Sequence, residues 1–226
     1  MTKTNIAAVV LAAGLGTRMK SSLPKVLHRV AGQPMIGHLL DRLVAFDADR
    51  TIVVTSPGMS AVAEFVAPAE TVTQDPPLGT GHAVLAAREA LAGFEGDVLV
   101  LFGDTPLLTE GTMQAMVDVR RGKNNPAVVV LGFSPEDPGE YGRLVTGPNG
   151  GLEKIVEYRD ANEEEREIGL CNAGIMAIDG ARLFALLDEV EDSVTDVVGV
   201  EGLVDVDAPG NQPQHRRQLA HLDVVG

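Results

Sequence analysis

The sequence predicts an α/β protein built on a doubly wound, mainly parallel sheet with a small antiparallel excursion. Three observations carry that expectation. Short runs rich in Val, Ile and Leu alternate with stretches whose apolar residues recur at helical spacing. The connections between them are short, which favours right-handed β-α-β crossovers with helices on both sides of a parallel sheet. After about residue 133 the texture changes to brief runs punctuated by Pro135, Pro138, Gly139, Pro148, Gly150 and Gly151.

The elements follow in order. Ala7–Leu11, Thr51–Thr55, Asp97–Phe102 and Ala127–Gly132 are apolar throughout or nearly so and bounded by turn residues, the pattern of strands buried on both faces. Met35–Phe46 follows Pro34, a residue suited to a helix start, and places Ile36, Leu39, Leu40 and Leu43 on one face. Ala83–Leu91 and Thr112–Arg120 have similar spacing. Arg143–Thr146 and Leu152–Tyr158 form the antiparallel excursion, and Leu170–Ile178 returns as a strand. The acidic stretch Asp160–Glu167 is a solvated helix or loop. From Asp192 onward the pattern weakens, and Ala208–Arg217 reads as irregular.

A chain of 226 residues is long enough for one sizeable core, so residues 1–226 are expected to form a single domain whose region after about 192 is divergent or shortened. The net charge of −14 argues against general binding to nucleic acid or to an anionic membrane. One cysteine, Cys171, cannot form an internal disulfide, so a reducing cytoplasm is the expected setting. Its apolar neighbours Leu170, Ala173 and Ile175 make it a buried strand residue rather than a metal ligand. No secretory signal or membrane-spanning run is evident. Oligomeric state is left open.

Against that acidic background the first 40 residues carry Lys3, Arg18, Lys20, Lys25 and Arg29 and no Asp or Glu, where the average density would place about six. Within them the strand ending at Leu11 runs into Gly14 and Gly16, then Arg18, Pro24 and Lys25. Bare backbone N–H groups and fixed cations in that order suit an anionic ligand. The third glycine of a dinucleotide fingerprint is missing, because Met19 follows, and the Walker spacing is absent. Arg18 and Lys25 are therefore read as phosphate-binding, while Lys3, Lys20 and Arg29 are ordinary surface cations. The glycine loop after Leu11 and the pair Gly103 and Asp104 after Phe102 both follow the carboxyl ends of predicted strands, where open α/β sheets bind ligands.

The run Leu11-Ala-Ala-Gly-Leu-Gly-Thr-Arg-Met19 with Leu23-Pro-Lys-Val-Leu27 resembles the signature of the sugar-1-phosphate nucleotidyltransferases, most of all the uridyltransferase domains that activate N-acetylglucosamine 1-phosphate. Further matches follow in the same order: Gln74 through Leu78-Gly-Thr-Gly-His82, Phe102-Gly-Asp-Thr-Pro-Leu107, Tyr141-Gly-Arg143, Ile155-Val-Glu157 and Asn172-Ala-Gly174. The resemblance covers about residues 5–190 and implies a Rossmann-like fold. It also implies a Mg²⁺-dependent transfer from UTP to a sugar 1-phosphate, giving a UDP-sugar and pyrophosphate.

By that resemblance the backbone of Ala13, Gly14 and Gly16 holds the nucleotide, and Arg18 and Lys25 hold the triphosphate. Gln74, Gly79 and Thr80 contact the base, Asp104 ligates Mg²⁺, and Gly142, Glu157 and Asn172 contact the sugar. An amide offers a donor and an acceptor, so Gln74 alone does not fix the base. The attacking atom is a phosphate oxygen, already anionic, so no protein base is required. His28, His38 and His82 are accordingly read as structural.

Two departures stand out. The chain has no hexapeptide-repeat region, so no acetyl transfer is implied. The family's late Asn ligand is also missing after Val200-Glu-Gly-Leu203, and Asp205, Asp207 and Asn211 are the candidate replacements. The rival readings are another sugar 1-phosphate, a molybdopterin-type cofactor as acceptor, or a binding-only relative.

Overall fold

The computed structural model describes residues 5–14, 16, 19–148, 150–191, 203–204 and 221–225. In chain order the elements are β1 (Ile6–Leu11), a 3-10 turn (Lys25–Leu27), β2 (Arg29–Val30), β3 (Gln33–Pro34), α1 (Met35–Ala45), β4 (Arg50–Thr55), α2 (Ser60–Val66), β5 (Glu70–Thr73), α3 (Thr80–Leu85) and β6 (Asp97–Phe102). They continue with α4 (Glu110–Arg120), β7 (Val128–Ser134), β8 (Arg143–Thr146), β9 (Leu152–Val156), α5 (Glu163–Arg166), β10 (Cys171–Asp179), α6 (Gly180–Glu191), β11 (Leu203–Val204) and β12 (His221–Val225). The fold class is the expected one, a mixed, mainly parallel sheet with helices on both faces. The chain divides into two compact units, one of residues 1–113 and 180–189, the other of residues 114–179 and 190–226.

In the first unit the strands run β6-β1-β4-β5, every neighbour parallel. All six residues of β1 are buried, as a strand covered on both faces requires. Leu11 pairs with Val54 on one side and Phe102 on the other, so β1, β4 and β6 end level. Helix α1 starts after Pro34, whose φ of −53° suits a helix start, and buries Ile36, Leu39 and Leu43. The helix expected over 83–91 instead begins at Thr80 and ends at Leu85, and the chain continues in tighter turns, Ala87 N–H to Val84 O (3.0 Å) and Arg88 N–H to Leu85 O (3.0 Å).

Helix α6 closes this unit by close backbone contact. Its first residue, Gly180, donates to the carbonyl of Gly96 at 2.8 Å, and a Cβ there would lie 2.6 Å from that oxygen. Further along α6, Asp188 is ion-paired with Arg88, whose guanidinium stacks 4.7 Å from the Phe184 ring.

The second unit is antiparallel. β7 pairs with β10 and with β12, β11 pairs with β12, and the hairpin β8–β9 joins through Arg143 opposite Cys171. Val130, Leu144 and Leu152 form its core, with Val128, Ile155, Leu170 and Met176 packed against them. The acidic stretch resolves into the single turn α5, which buries none of its residues. A capping box holds its start: Asn162 accepts from the Glu165 N–H, and the Glu165 carboxylate accepts from the Asn162 N–H. Hydrogen bonds from Lys154 and the Asn162 N–H lower the Glu165 carboxyl below its ordinary pKa.

Among the described residues no helix is long and apolar enough to cross a membrane. The readings on Asp205, Asp207, Asn211 and the stretch Ala208–Arg217 fall outside the described residues.

Candidate active site

Three strand ends converge on one cavity. The parallel ladder runs one bond past each strand, with Ala12 N–H to Val54 O (2.8 Å) and Gly103 N–H to Leu11 O (2.9 Å). The loop after β1 is then pinned by the Ser56 hydroxyl, which donates to Ala13 O at 2.7 Å. Gly16 adopts φ +58°, a conformation that favours glycine, and a Cβ there would come within 2.8 Å of the Lys25 Cβ. Glycine at this position therefore lets the loop lie directly against the base of the Lys25 side chain.

Lys25 itself opens the 3-10 turn behind Pro24, anchored by the buried side chains of Val26 and Leu27. Gly103 is tightly packed for the same reason: a Cβ would lie 3.0 Å from Val26 Cγ1 and 3.3 Å from Leu11 O. The next residue, Asp104, forms an ion pair with Lys25, with the lysine side chain 45% exposed and the aspartate 25%. Thr105 fixes that turn through its hydroxyl and its N–H, both donating to Phe102 O (2.6 and 3.1 Å).

Gln74 arrives from the end of β5, its N–H donating to Thr55 O at 2.8 Å. Its side chain is buried, with Nε2 2.9 Å from Gly79 O and 3.2 Å from His82 Nδ1. Gly79 has φ +111° and serves as the residue before α3.

These segments enclose a cavity of about 540 Å³. Ala13, Gly14, Gly16 and Lys25 line it from the first loop, Gln74, Gly79 and Thr80 from the second, and Asp104 from the third. Eight of the residues singled out in the sequence thus share one cavity. Arg18 lies outside the described residues.

Gly142, Glu157 and Asn172 come together in the second unit. Asn172 N–H donates to Gly142 O at 2.8 Å, and a Cβ on Gly142 would lie 3.2 Å from Glu157 Oε1. Glycine at 142 lets this carboxylate lie close against the backbone. Asn172 Oδ1 accepts from Gly174 N–H at 2.8 Å, which fixes its side chain.

Sequence reasoning named Arg143 only as part of the Tyr141-Gly-Arg143 match and gave it no role. Arg143, 2% exposed, spends its guanidinium on backbone carbonyls: Pro138 (3.3 Å), Gly139 (3.0 Å), Arg166 (3.4 Å) and Tyr141. It also faces the Tyr158 ring at 5.5 Å. The signal was an arginine opening an apolar strand, but nothing local says that its partners are carbonyls and not carboxylates. Cys171 Sγ lies 4.0 Å from Arg143 Nη1. Burial pushes the Cys171 thiol up from its ordinary pKa, and the Arg143 charge and hydrogen bond pull the other way.

Comparison with known proteins gives a consistent result. Residues 8–169 match the model of the MobA-like NTP transferase domain. The chain is 55% identical over 207 residues to the bifunctional protein GlmU of Paramagnetospirillum magneticum, covering 88% of this chain and 46% of that protein. It is 62% identical over 190 residues to the bifunctional protein GlmU of Rhodospirillum rubrum, covering 84% and 42%. The chain therefore spans less than half the length of these curated relatives.

Among solved structures, HddC from Yersinia pseudotuberculosis complexed with GMP-PN shares the fold at TM-score 0.58 and 22% identity, over 78% of each chain. A putative glucose-1-phosphate thymidylyltransferase from Bacillus anthracis in complex with a sucrose shares it at TM-score 0.64 and 21% identity, over 80% of this chain and 74% of that one. With its family model matched across β1 to β9 and the cavity built at the ends of its parallel strands, the chain belongs to the MobA-like NTP transferase domain family.

Proposed function

We propose that this chain transfers a uridylyl group from UTP to N-acetylglucosamine 1-phosphate, releasing pyrophosphate. The observation that carries the reading is the single cavity shared by the glycine loop, Lys25, Asp104 and Gln74. The high identity to bifunctional GlmU proteins supports the choice of sugar.

In the proposed reaction a phosphate oxygen of the sugar phosphate attacks the α-phosphorus of UTP. That P–O bond forms as the bond to the β-phosphate oxygen breaks, and its electrons leave with pyrophosphate. The nucleophile is already anionic, so the chain need supply no base. The barrier is mutual repulsion and misalignment, and the protein lowers it by positioning and by cations. Gly14 and Gly16 present bare backbone to the nucleotide, Lys25 and Arg18 neutralise the triphosphate and the departing pyrophosphate, and Gln74, Gly79 and Thr80 take the base. Gly142, Glu157 and Asn172 contact the acceptor sugar, the carboxylate accepting from its hydroxyls.

Mg²⁺ is ordinarily held by one or two carboxylates together with substrate phosphates. Asp104 offers one partly exposed carboxylate on the cavity wall, and no group of three His, Cys, Asp or Glu ligands forms among the described residues. That donor set fits an ion shared with bound phosphates, with Asp104 as its protein ligand. When bound, the ion would neutralise phosphate charge as the two anions approach. A cytoplasmic setting accords with the single buried thiol.

The test is pyrophosphate release with Mg²⁺, each nucleoside triphosphate and a panel of acceptors. Turnover with UTP and N-acetylglucosamine 1-phosphate supports the reading. Turnover only with another sugar phosphate or a pterin phosphate, or UTP binding without turnover on any acceptor, overturns it.

A further inference from the structure

We infer that His82 is a positioning residue that sets which base the cavity accepts, by fixing the orientation of the Gln74 amide. The inference rests on the uridylyl reading above and deepens it. A glutamine can meet a base edge with either end of its amide, and the two choices select opposite partners. The surroundings of Gln74 remove the choice.

Its Nε2 lies 2.9 Å from Gly79 O, and a backbone carbonyl only accepts, so the NH₂ end faces it. The position of that carbonyl is set by α3, whose Ala83 N–H also donates to it at 3.1 Å. The same Nε2 lies 3.2 Å from His82 Nδ1, one turn into the helix. An amide nitrogen only donates, so His82 Nδ1 is the acceptor of the second amide hydrogen. Both amide donors are then consumed by α3 and its preceding glycine.

What remains is Oε1, which accepts no hydrogen bond from the described residues while Gln74 lines the cavity. An amide that presents only an acceptor requires a donor from the base. Uracil has one such donor on its edge, N3–H. Cytosine in the same pose puts a lone pair at N3 against Oε1. The discrimination thus comes from an acceptor that a seated base buries and that the wrong base leaves unpaired, the kind of selection in which hydrogen-bonding sites excel.

The experiment measures binding of UTP and CTP to the full chain with Mg²⁺ by calorimetry, for the native protein, His82→Ala and His82→Asn. Asparagine places Oδ1 close to where the imidazole places Nδ1, so it keeps the acceptor. The native chain should prefer UTP. His82→Ala should lower the UTP-to-CTP affinity ratio by about tenfold, the weight of one ordinary hydrogen bond, partly through tighter CTP binding, and His82→Asn should restore the ratio. A purely structural histidine would weaken both nucleotides alike and leave the ratio unchanged. That result, or a native chain that binds CTP as well as UTP, overturns the inference. Because the readout is binding, it stands apart from turnover: a chain that prefers UTP but transfers to no sugar phosphate would overturn the proposed function and leave the role of His82 intact.

Discussion

Lys25 and Arg143 show two opposite uses of a cation in one chain. Lys25 stands nearly half exposed on a cavity wall, with a single carboxylate for company among the described residues. Arg143 is almost wholly buried and is surrounded by backbone carbonyls. The first arrangement keeps a charge available, since an exposed ion pair is worth about 0–1 kcal/mol and is easily exchanged for a phosphate. The second commits the charge to architecture, because a buried guanidinium without its partners is costly. A compact ammonium on a flexible stem suits the first task and a rigid fork of five donors suits the second.

The largest effect expected from breaking this contrast is on the exposed side. Lys25→Ala or Asp104→Ala should lower kcat/KM for uridylyl transfer by about 10²–10³, the usual weight of one preorganised charge at a phosphoryl centre, while the thermal midpoint hardly moves. Retained activity in Asp104→Ala would remove that residue from the metal site. On the buried side the pattern should invert. Arg143→Met leaves several carbonyls without their charged donor and should destabilise the fold by roughly 3 kcal/mol in denaturant titrations. Arg143→Lys should recover part of that loss, since one ammonium cannot span the carbonyls that the fork reaches.

A smaller effect is expected where the two kinds of constraint meet. Gly16→Ala places a Cβ at φ +58° and 2.8 Å from Lys25 Cβ. The substitution should reduce stability by about 1–2 kcal/mol and, by displacing Lys25, weaken UTP binding measured by calorimetry. Stability loss with native UTP affinity would mean that the loop and the lysine are not coupled.

The smallest effect belongs to Cys171, whose thiol burial raises. Between the unfolded and folded pKa values the folded chain keeps a proton that the unfolded chain has lost. Stability should therefore fall as pH rises past the ordinary thiol value of about 8.5, and Cys171→Ala should flatten that alkaline slope.

The parallel half of the fold was legible because its strands are buried on both faces, which writes an unbroken apolar run. Asp97–Phe102 and the ends of β1 and β4 at Leu11 and Thr55 follow directly from that signal. β5 was not legible: Glu70–Thr73 is a short, largely exposed strand whose place is set by its partner β4. Helix α3 shifted because Gly79, at positive φ, starts it earlier than the apolar spacing indicates.

At the site, the residues that carry distinctive chemistry were readable, and those that hold them were not. Ser56 reaches Ala13 across 43 positions of sequence, and His82 reaches Gln74 from the far side of a turn. Such contacts leave no periodicity, because they depend on where strands end and not on how side chains repeat.

The return of the chain at Gly180 has a consequence for biosynthesis. The first unit is interrupted in sequence: residues 114–179 are made before α6 arrives to seal it against Gly96 and Arg88. The strands of the parallel sheet are all made by residue 102, and only α6, the helix that closes the unit, follows the antiparallel insert. The tight glycine-to-glycine seam between residues 96 and 180 can therefore form only after the insert has been made. Bulk introduced at either glycine should be felt first as a lower yield of folded protein, before any change in how the finished protein handles nucleotide.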